Sequence, residues 1–264
     1  RCGGAHLAQR HARPVPQLVS SPTGSARVRE DVQRALVVTA HPDDVDFGAG
    51  GTVAAWTAAG IEVAYCICTS GDAGGFDDTP RAQMAPLREA EQRAAAAELG
   101  VKDVVFLGYP DGQVTASIEL RRDISREIRR FRPDRVLTHS PEIWWRRLGA
   151  SHPDHRATGE ATLAAVYPDA RNPFAHPELL ADGLPAWTVR ELWLMAAPDE
   201  RVDHTVDITD TLERKVAALR AHVSQTGHMA DLESRLREWS SYWARRAGLG
   251  EQRYAEVFQV VAIG

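Results

Sequence analysis

The sequence predicts an α/β fold, a single domain built on a mostly parallel sheet with helices on both faces, and three observations carry that reading. Short continuous apolar runs, Leu36-Val37-Val38 and the stretch 62–69 (Glu-Val-Ala-Tyr-Cys-Ile-Cys-Thr), read as strands buried on both faces, not as half-exposed alternating strands. Helical stretches separate these runs, the alternation that builds a βαβ series. Polar, chemistry-bearing residues gather where the strands end, and open α/β sheets collect their ligands at the carboxyl ends of strands. With 264 residues, 44% of them hydrophobic and 25% charged, the chain is long enough to bury a sizeable core.

Residues 1–26, rich in Arg, Pro, Ser and Gly, lack periodicity and the apolar centre of a secretory signal. They are expected to form a disordered extension, with residues 27–264 as the domain. The strand at 36–38 stops at His41-Pro42-Asp43-Asp44, and glycines 48, 50 and 51 then lead into an Ala-rich helix over 52–59, closed by Gly60. The second strand, 62–69, feeds a Gly/Asp loop and a helix over 86–99 that opens on Pro86, with Gly100 just past its end. A strand at 103–107, a Gly-Tyr-Pro-Asp-Gly loop, a helix over 117–131 stopped by Pro133 and a strand at 135–139 continue the alternation. The loop 140–151 carries Trp144, Trp145, Arg146 and Arg147, and delivers the chain into His152-Pro153-Asp154-His155, where Pro153 suits the first turn of a helix to about 166. An irregular Pro-rich stretch, 167–185, precedes strands at 189–195 and 202–208. Thr209 is expected to cap an amphipathic helix to about 223; a Trp-rich helix over 231–247 and a last strand at 256–263 follow.

A net charge of −5 argues against a nucleic-acid surface, which leans on clustered Lys and Arg. No apolar run of about 18 residues exists, so no membrane span is expected. Cys66 and Cys68 lie too close along one strand for an ordinary disulfide, which suits a reducing cytoplasm. Small-molecule substrates fit this balance best, and the sequence leaves open whether copies of the chain form a homo-oligomer.

Among chemistries, a zinc hydrolase needs about three N or O ligands, an open position and a base for the water. His41, one of the adjacent aspartates and a histidine of the His-x-x-His pair would supply it, because successive side chains diverge and leave one carboxylate free to address the water. The blander readings are a helix cap for Asp43 or Asp44 and a solvated helix start for His152 and His155. A dinucleotide fold is poorer, since the third glycine of its spacing falls on Val53. No Gly-x-Ser-x-Gly elbow is present, and the two strand cysteines are buried.

Ala40-His41-Pro42-Asp43-Asp44, Gly50-Gly51-Thr52, Arg88 with Glu89, Asp111-Gly112 and His152-Pro153-Asp154-His155 together resemble the LmbE-like or PIG-L family of zinc-dependent N-acetylglucosaminyl deacetylases. The resemblance implies a Rossmann-like fold, an amino-sugar substrate and removal of its N-acetyl group through a metal-activated water. By the same likeness His41, Asp44 and His155 are the zinc ligands, Asp43 is the general base, His152 stabilises the oxyanion or donates a proton, and Arg88 and Asp111 hold sugar hydroxyls. Two departures stand out: Val45 occupies a position that is often acidic in the family, with Asp46 one further on, and the Trp144 loop does not match the tyrosine-bearing loop of the thiol-pathway enzymes. Three competing expectations are an amidase on an amino-sugar thiol conjugate, an iron(II) oxygenase using the same two-histidine, one-carboxylate donors, and a non-catalytic sugar- or nucleotide-binding module.

Overall fold

The computed structural model describes residues 31–76 and 78–263, so the expected extension at 1–26 lies outside the described residues. Seven strands form one sheet in the order β3-β2-β1-β4-β5-β7-β6: β1 (Arg34–Thr39), β2 (Glu62–Thr69), β3 (Asp103–Tyr109), β4 (Arg135–His139), β5 (Glu191–Met195), β6 (His204–Asp207) and β7 (Ala255–Ala262). The first five run parallel, while β7 pairs antiparallel with β5 and with β6. Val37 of β1 stands opposite Tyr65 on one side and Leu137 on the other. The strand order therefore reverses between β1 and β4, and the crossovers leaving them diverge to open a crevice at their carboxyl ends.

The continuous apolar runs are explained by burial on both faces. Val37 and Tyr65 pack into one core with Val45, Ala49 and Val53 of α1 (Asp44–Ala58) and with Ala95 and Ala96 of α2 (Arg81–Glu98). Leu36, Val38, Cys66 and Cys68 pack into the other, against Leu120, Ile124 and Ile128 of α3 (Ile118–Phe131) and Ala161 of α4 (Pro153–Ala164). Ser117 caps α3 by accepting from Leu120 N at 3.2 Å, so the helix proper starts one residue after the expected 117. The stretch 167–185 opens in a π-helical turn (Ala165–Asp169) and contains the short helix α5 (Pro177–Ala181). After β6 come α6 (Leu212–Ala221), α7 (Val223–Thr226) and the Trp-bearing α8 (Leu232–Arg246). No helix among the described residues is long and apolar enough to cross a membrane.

Three local expectations are corrected. Helix α1 begins at Asp44, not near 52, so the glycines lie inside it. Interior glycines cost a helix about 1 kcal/mol each relative to Ala, but a Cβ on Gly48 would stand 2.5 Å from Met195 Sδ and one on Gly51 2.7 Å from Ile208 Cβ. Close helix packing, not a ligand, demands them. Helix α2 begins at Arg81, one turn before Pro86, which lies inside it. Thr209 does not cap α6: it donates to Asp207 Oδ1 (2.6 Å) and accepts from Tyr254 N (3.0 Å), and Thr211 holds the N-cap position.

A buried ion pair between α6 and β7 clamps α1. Lys215 Nζ of α6 donates to Phe47 O (2.7 Å) and to Glu256 Oε1 (2.5 Å), while Glu256 also accepts from Gly51 N, Thr52 N and Thr52 Oγ1 at 3.0, 2.8 and 2.6 Å. Both side chains are nearly inaccessible, so each charge is solvated by the other and by the helix backbone.

Candidate active site

The turn leaving β1 is fixed before any ligand is considered. Thr69 N of β2 donates to Ala40 O (2.9 Å), and His41 N donates to Asp44 Oδ2 (2.7 Å). Asp43 takes a left-handed conformation (φ 83°), uncommon outside glycine, so its neighbours must hold it there. Gln92 of α2 accepts from Asp43 N at 2.7 Å, and Arg88 donates to Pro42 O (2.9 Å), Asp43 Oδ2 (3.2 Å) and Gly71 O (3.0 Å). The reversal at Asp43 sends its carboxylate toward Arg88 and that of Asp44 toward the histidines.

At Asp44 two imidazole nitrogens meet the two carboxylate oxygens, one ring from the same turn and one from the start of α4. His41 Nδ1 lies 3.3 Å from His155 Nε2 and 3.5 Å from Asp44 Oδ2, and His155 Nε2 lies 3.0 Å from Asp44 Oδ1. Two ligands of a tetrahedral zinc, bound at about 2.0–2.1 Å, stand about 3.3 Å apart, so these spacings suit one small divalent ion. The donor types, two imidazoles and a carboxylate, suit it as well. Three overlapping groups here could hold an ion: His41, His152 and His155; Asp44, His139 and His155; and His41, Asp111 and Asp154.

The electrostatics follow from this crowding. Burial opposes the charge on Asp44, yet His155, His139 and His41 outweigh it and hold the carboxyl well below its usual range. Burial likewise opposes protonation of His41, but Asp44 and Asp111 push it up to about 11. These rings surround a centre with a demand for positive charge, which a divalent cation meets. For Asp43, burial and then the adjacent Asp44 carboxylate push the carboxyl up to about 7, against the pull of Arg88. Burial and the neighbouring His41 and His155 lower His152, whose Nδ1 accepts from Asp154 N at 3.2 Å.

His41, Asp43, Asp44, Arg88, Asp111, His152 and His155, the candidate site residues of the sequence, gather around this turn, though two are engaged differently from expectation. Arg88 is 4% exposed, and its two terminal nitrogens are taken up by Asp43 and two backbone carbonyls. Asp111 Oδ1 lies 3.1 Å from His41 Nε2, and its Oδ2 accepts from Ala73 N at 3.0 Å. Sequence reasoning missed His139 at the end of β4, whose Nε2 lies 3.2 Å from Asp44 Oδ2 and whose ring stacks on His155 with centroids 4.1 Å apart. A histidine closing a buried strand beside β1 was the signal available. It also gave Asp154 no role, although Asp154 Oδ2 meets His41 Nε2 at 3.2 Å and accepts from Gly112 N at 2.7 Å. Asp46, one place beyond the expected acidic position, is fully buried and accepts from Gln92 Nε2 (2.9 Å) and His222 Nε2 (2.8 Å), tying it to Asp43 through Gln92. Cys66 and Cys68 are free, and burial pushes Cys68 up to about 12, so neither thiol is poised as a nucleophile.

Residues 36–166 match the PIG-L family, described as GlcNAc-PI de-N-acetylase. Diacetylchitobiose deacetylase of Thermococcus kodakarensis is 33% identical over 234 residues, covering 88% of this chain and 84% of that one. The chain belongs to the PIG-L family. A further PIG-L relative, the 1D-myo-inositol 2-acetamido-2-deoxy-alpha-D-glucopyranoside deacetylase of Mycobacterium sp. (strain KMS), is 32% identical and covers 80% of each chain. Among solved structures, N,N'-diacetylchitobiose deacetylase from Pyrococcus horikoshii superposes with a TM-score of 0.79 at 31% identity, over 88% of this chain and 85% of that one. The PIG-L match ends near 166, yet Lys215 and His222 beyond it buttress the same crevice.

Proposed function

We propose that this PIG-L chain is a metal-dependent N-deacetylase that hydrolyses the N-acetyl amide of an N-acetylglucosamine-type amino sugar or its conjugate. Zinc held by His41, Asp44 and His155 is the cofactor of this reading. The observation that carries it is that His41 Nδ1 and His155 Nε2 stand 3.3 Å apart and each lies within 3.0–3.5 Å of an Asp44 carboxylate oxygen, while the neighbouring Asp43 carboxylate is turned to Arg88 and stays outside the set. The relatives named above act, by their names, on diacetylchitobiose and on a GlcNAc-inositol, and the unit these share is the one proposed here.

A metal ion at this centre supplies Lewis acidity, polarising the acetyl carbonyl and acidifying a water. Asp43 takes the proton of the attacking water. A general base works best with a pKa near the operating pH, and burial has moved Asp43 toward it. Arg88 and Gln92 keep that carboxylate aimed into the crevice. His152, held neutral by its surroundings, has its Nδ1 occupied by the Asp154 N–H, which leaves Nε2–H to donate to the oxyanion. Asp43 then returns the proton to the departing amine. Asp111, partly exposed beside His41, orients the sugar hydroxyls, and Arg88 completes that wall through its hold on Asp43 and the Gly71 carbonyl.

Incubation of the zinc-loaded protein with a panel of N-acetylated amino sugars, reading acetate and free amine, tests the proposal. Release of acetate from at least one, lost on chelation and restored by zinc, is expected. No release from any sugar, or oxygen consumption with iron bound, overturns it.

A further inference from the structure

His139, buried at the carboxyl end of β4, meets both the Asp44 carboxylate and the His155 ring, and the deacetylase reading gives it no role. Its backbone is locked from two sides. In the sheet it stands opposite Met195 of β5, and Gly159 of α4 packs so closely that a Cβ there would come within 2.4 Å of the His139 carbonyl oxygen. The imidazole is therefore placed by the sheet and α4, independently of the turn that carries His41 and Asp44.

The Asp44 carboxylate spans two stacked rings. Its Oδ1 lies 3.0 Å from His155 Nε2 and its Oδ2 3.2 Å from His139 Nε2, while the ring centroids are 4.1 Å apart and the planes 13° from parallel. An imidazole ligates along a lone pair in its own ring plane, and two nearly parallel planes stacked at this separation offer no shared point to one ion. His139 is thus set to act on the carboxylate and not as a further imidazole ligand beside His155. Oδ2 also accepts from His41 N at 2.7 Å. The Ala40 N–H points at His139 Nε2 from 3.4 Å, but an Nε2 lone pair would face the nearer carboxylate oxygen and be repelled, so the proton belongs on Nε2. A carboxylate oxygen has about two acceptor directions, and both on Oδ2 are then spent, which leaves Oδ1 for a cation.

Resting on the metal-dependent reading above, we infer that His139 is a positioning residue that restricts Asp44 to a single ligand oxygen. The consequence is an open coordination position. A catalytic zinc keeps three protein ligands and leaves the fourth place to water, and a carboxylate bound through both oxygens would compete for that place. Holding Oδ2 from the far side also fixes the direction in which Oδ1 faces, as partners behind a ligating group do in general. His41 N alone would leave one acceptor direction of Oδ2 free to turn toward the ion.

Two measurements that need no turnover test this: zinc affinity by chelator competition, and the visible spectrum of the cobalt(II)-substituted protein, whose absorption weakens as coordination number rises. His139→Phe keeps a ring against His155 and removes the N–H, whereas His139→Gln returns an N–H donor at similar reach. The Phe variant should bind zinc about 10–100-fold more weakly and show a weaker cobalt(II) spectrum, and the Gln variant should recover both toward the parent. An unchanged spectrum in His139→Phe, or a Gln variant no better than Phe, overturns the inference. Should the Phe variant fail to fold, X-ray absorption at the zinc edge of the parent decides: four N or O neighbours at about 2.0–2.1 Å support the inference, and five or more overturn it. A parent that binds zinc and releases acetate with both Asp44 oxygens on the ion removes this inference alone. A parent that binds no zinc removes the deacetylase reading and this inference with it.

Discussion

Asp154, 1% exposed, lies 3.2 Å from His41 Nε2, while the same ring's Nδ1 faces His155 Nε2 at 3.3 Å. One nitrogen of His41 is thereby committed to a buried carboxylate and the other is aimed at the centre. A carboxylate behind a ligating histidine fixes its tautomer and strengthens it as a donor, and loss of such a partner typically costs 10–100-fold in metal affinity. Asp154→Asn should weaken zinc binding by about that factor in a chelator competition titration. Unchanged affinity would show that His41 is oriented by Asp111 instead.

Separate roles for the adjacent aspartates predict separate phenotypes. Asp43→Ala should retain zinc by metal analysis yet lose turnover by a factor on the order of 10² or more, as removal of a general base does. His41→Ala and Asp44→Ala should lose the metal itself. An Asp43→Ala protein with full activity defeats the assignment of the base.

His152 offers a donor and no net charge in this reading. His152→Ala should reduce kcat by roughly 10²–10³ with KM little changed, the signature of a lost oxyanion contact. Equal loss in His152→Gln and His152→Ala would argue for proton transfer in place of donation.

The Lys215–Glu256 pair should matter to stability through its burial. Removing one partner of a buried pair leaves an uncompensated charge and typically costs about 3–5 kcal/mol. Lys215→Met should show a loss of that order in denaturant unfolding, and the double variant Lys215→Met/Glu256→Gln should recover part of it. Additive losses would mean the two side chains act independently.

His204 supplies a pH dependence remote from the candidate metal site. Its ring packs edge-on against Trp193, with centroids 4.8 Å apart; burial, then the nearby Arg135, lowers its pKa below the usual 6.5. The unfolded chain then binds a proton that the folded chain refuses, so this contribution is present above pH ~6.5 and is lost as pH falls through that value. Comparing Tm at pH 7.5 and 5.5, the drop should be smaller in His204→Gln than in the parent. An equal drop in both would remove His204 from the account.

Much of the fold was legible because burial leaves a mark on composition. Leu36-Val37-Val38 and the 62–69 stretch are apolar on both faces because each side of the sheet carries its own core. The glycines of α1 misled, since Gly48 and Gly51 answer to Met195 and Ile208, residues more than a hundred positions away. Thr209 misled for the same reason: its partners include Tyr254, and no local rule can anticipate a competitor brought in by the sheet. Asp46 stands one place beyond the position that is often acidic in the family, and on a helix that place turns it toward Gln92 and His222.

By itself the sequence determined which residues could carry chemistry, and that they follow strand ends: His41, Asp43 and Asp44 after β1, His152 and His155 at the start of α4. Only the tertiary structure decided how they share the work. The reversal at Asp43, the commitment of Arg88 to that carboxylate and the backing of His41 by Asp154 all depend on contacts between segments far apart in the chain. Such contacts are set by how the helices pack on the sheet, and sequence periodicity records only that each element has a buried face, not what it is buried against.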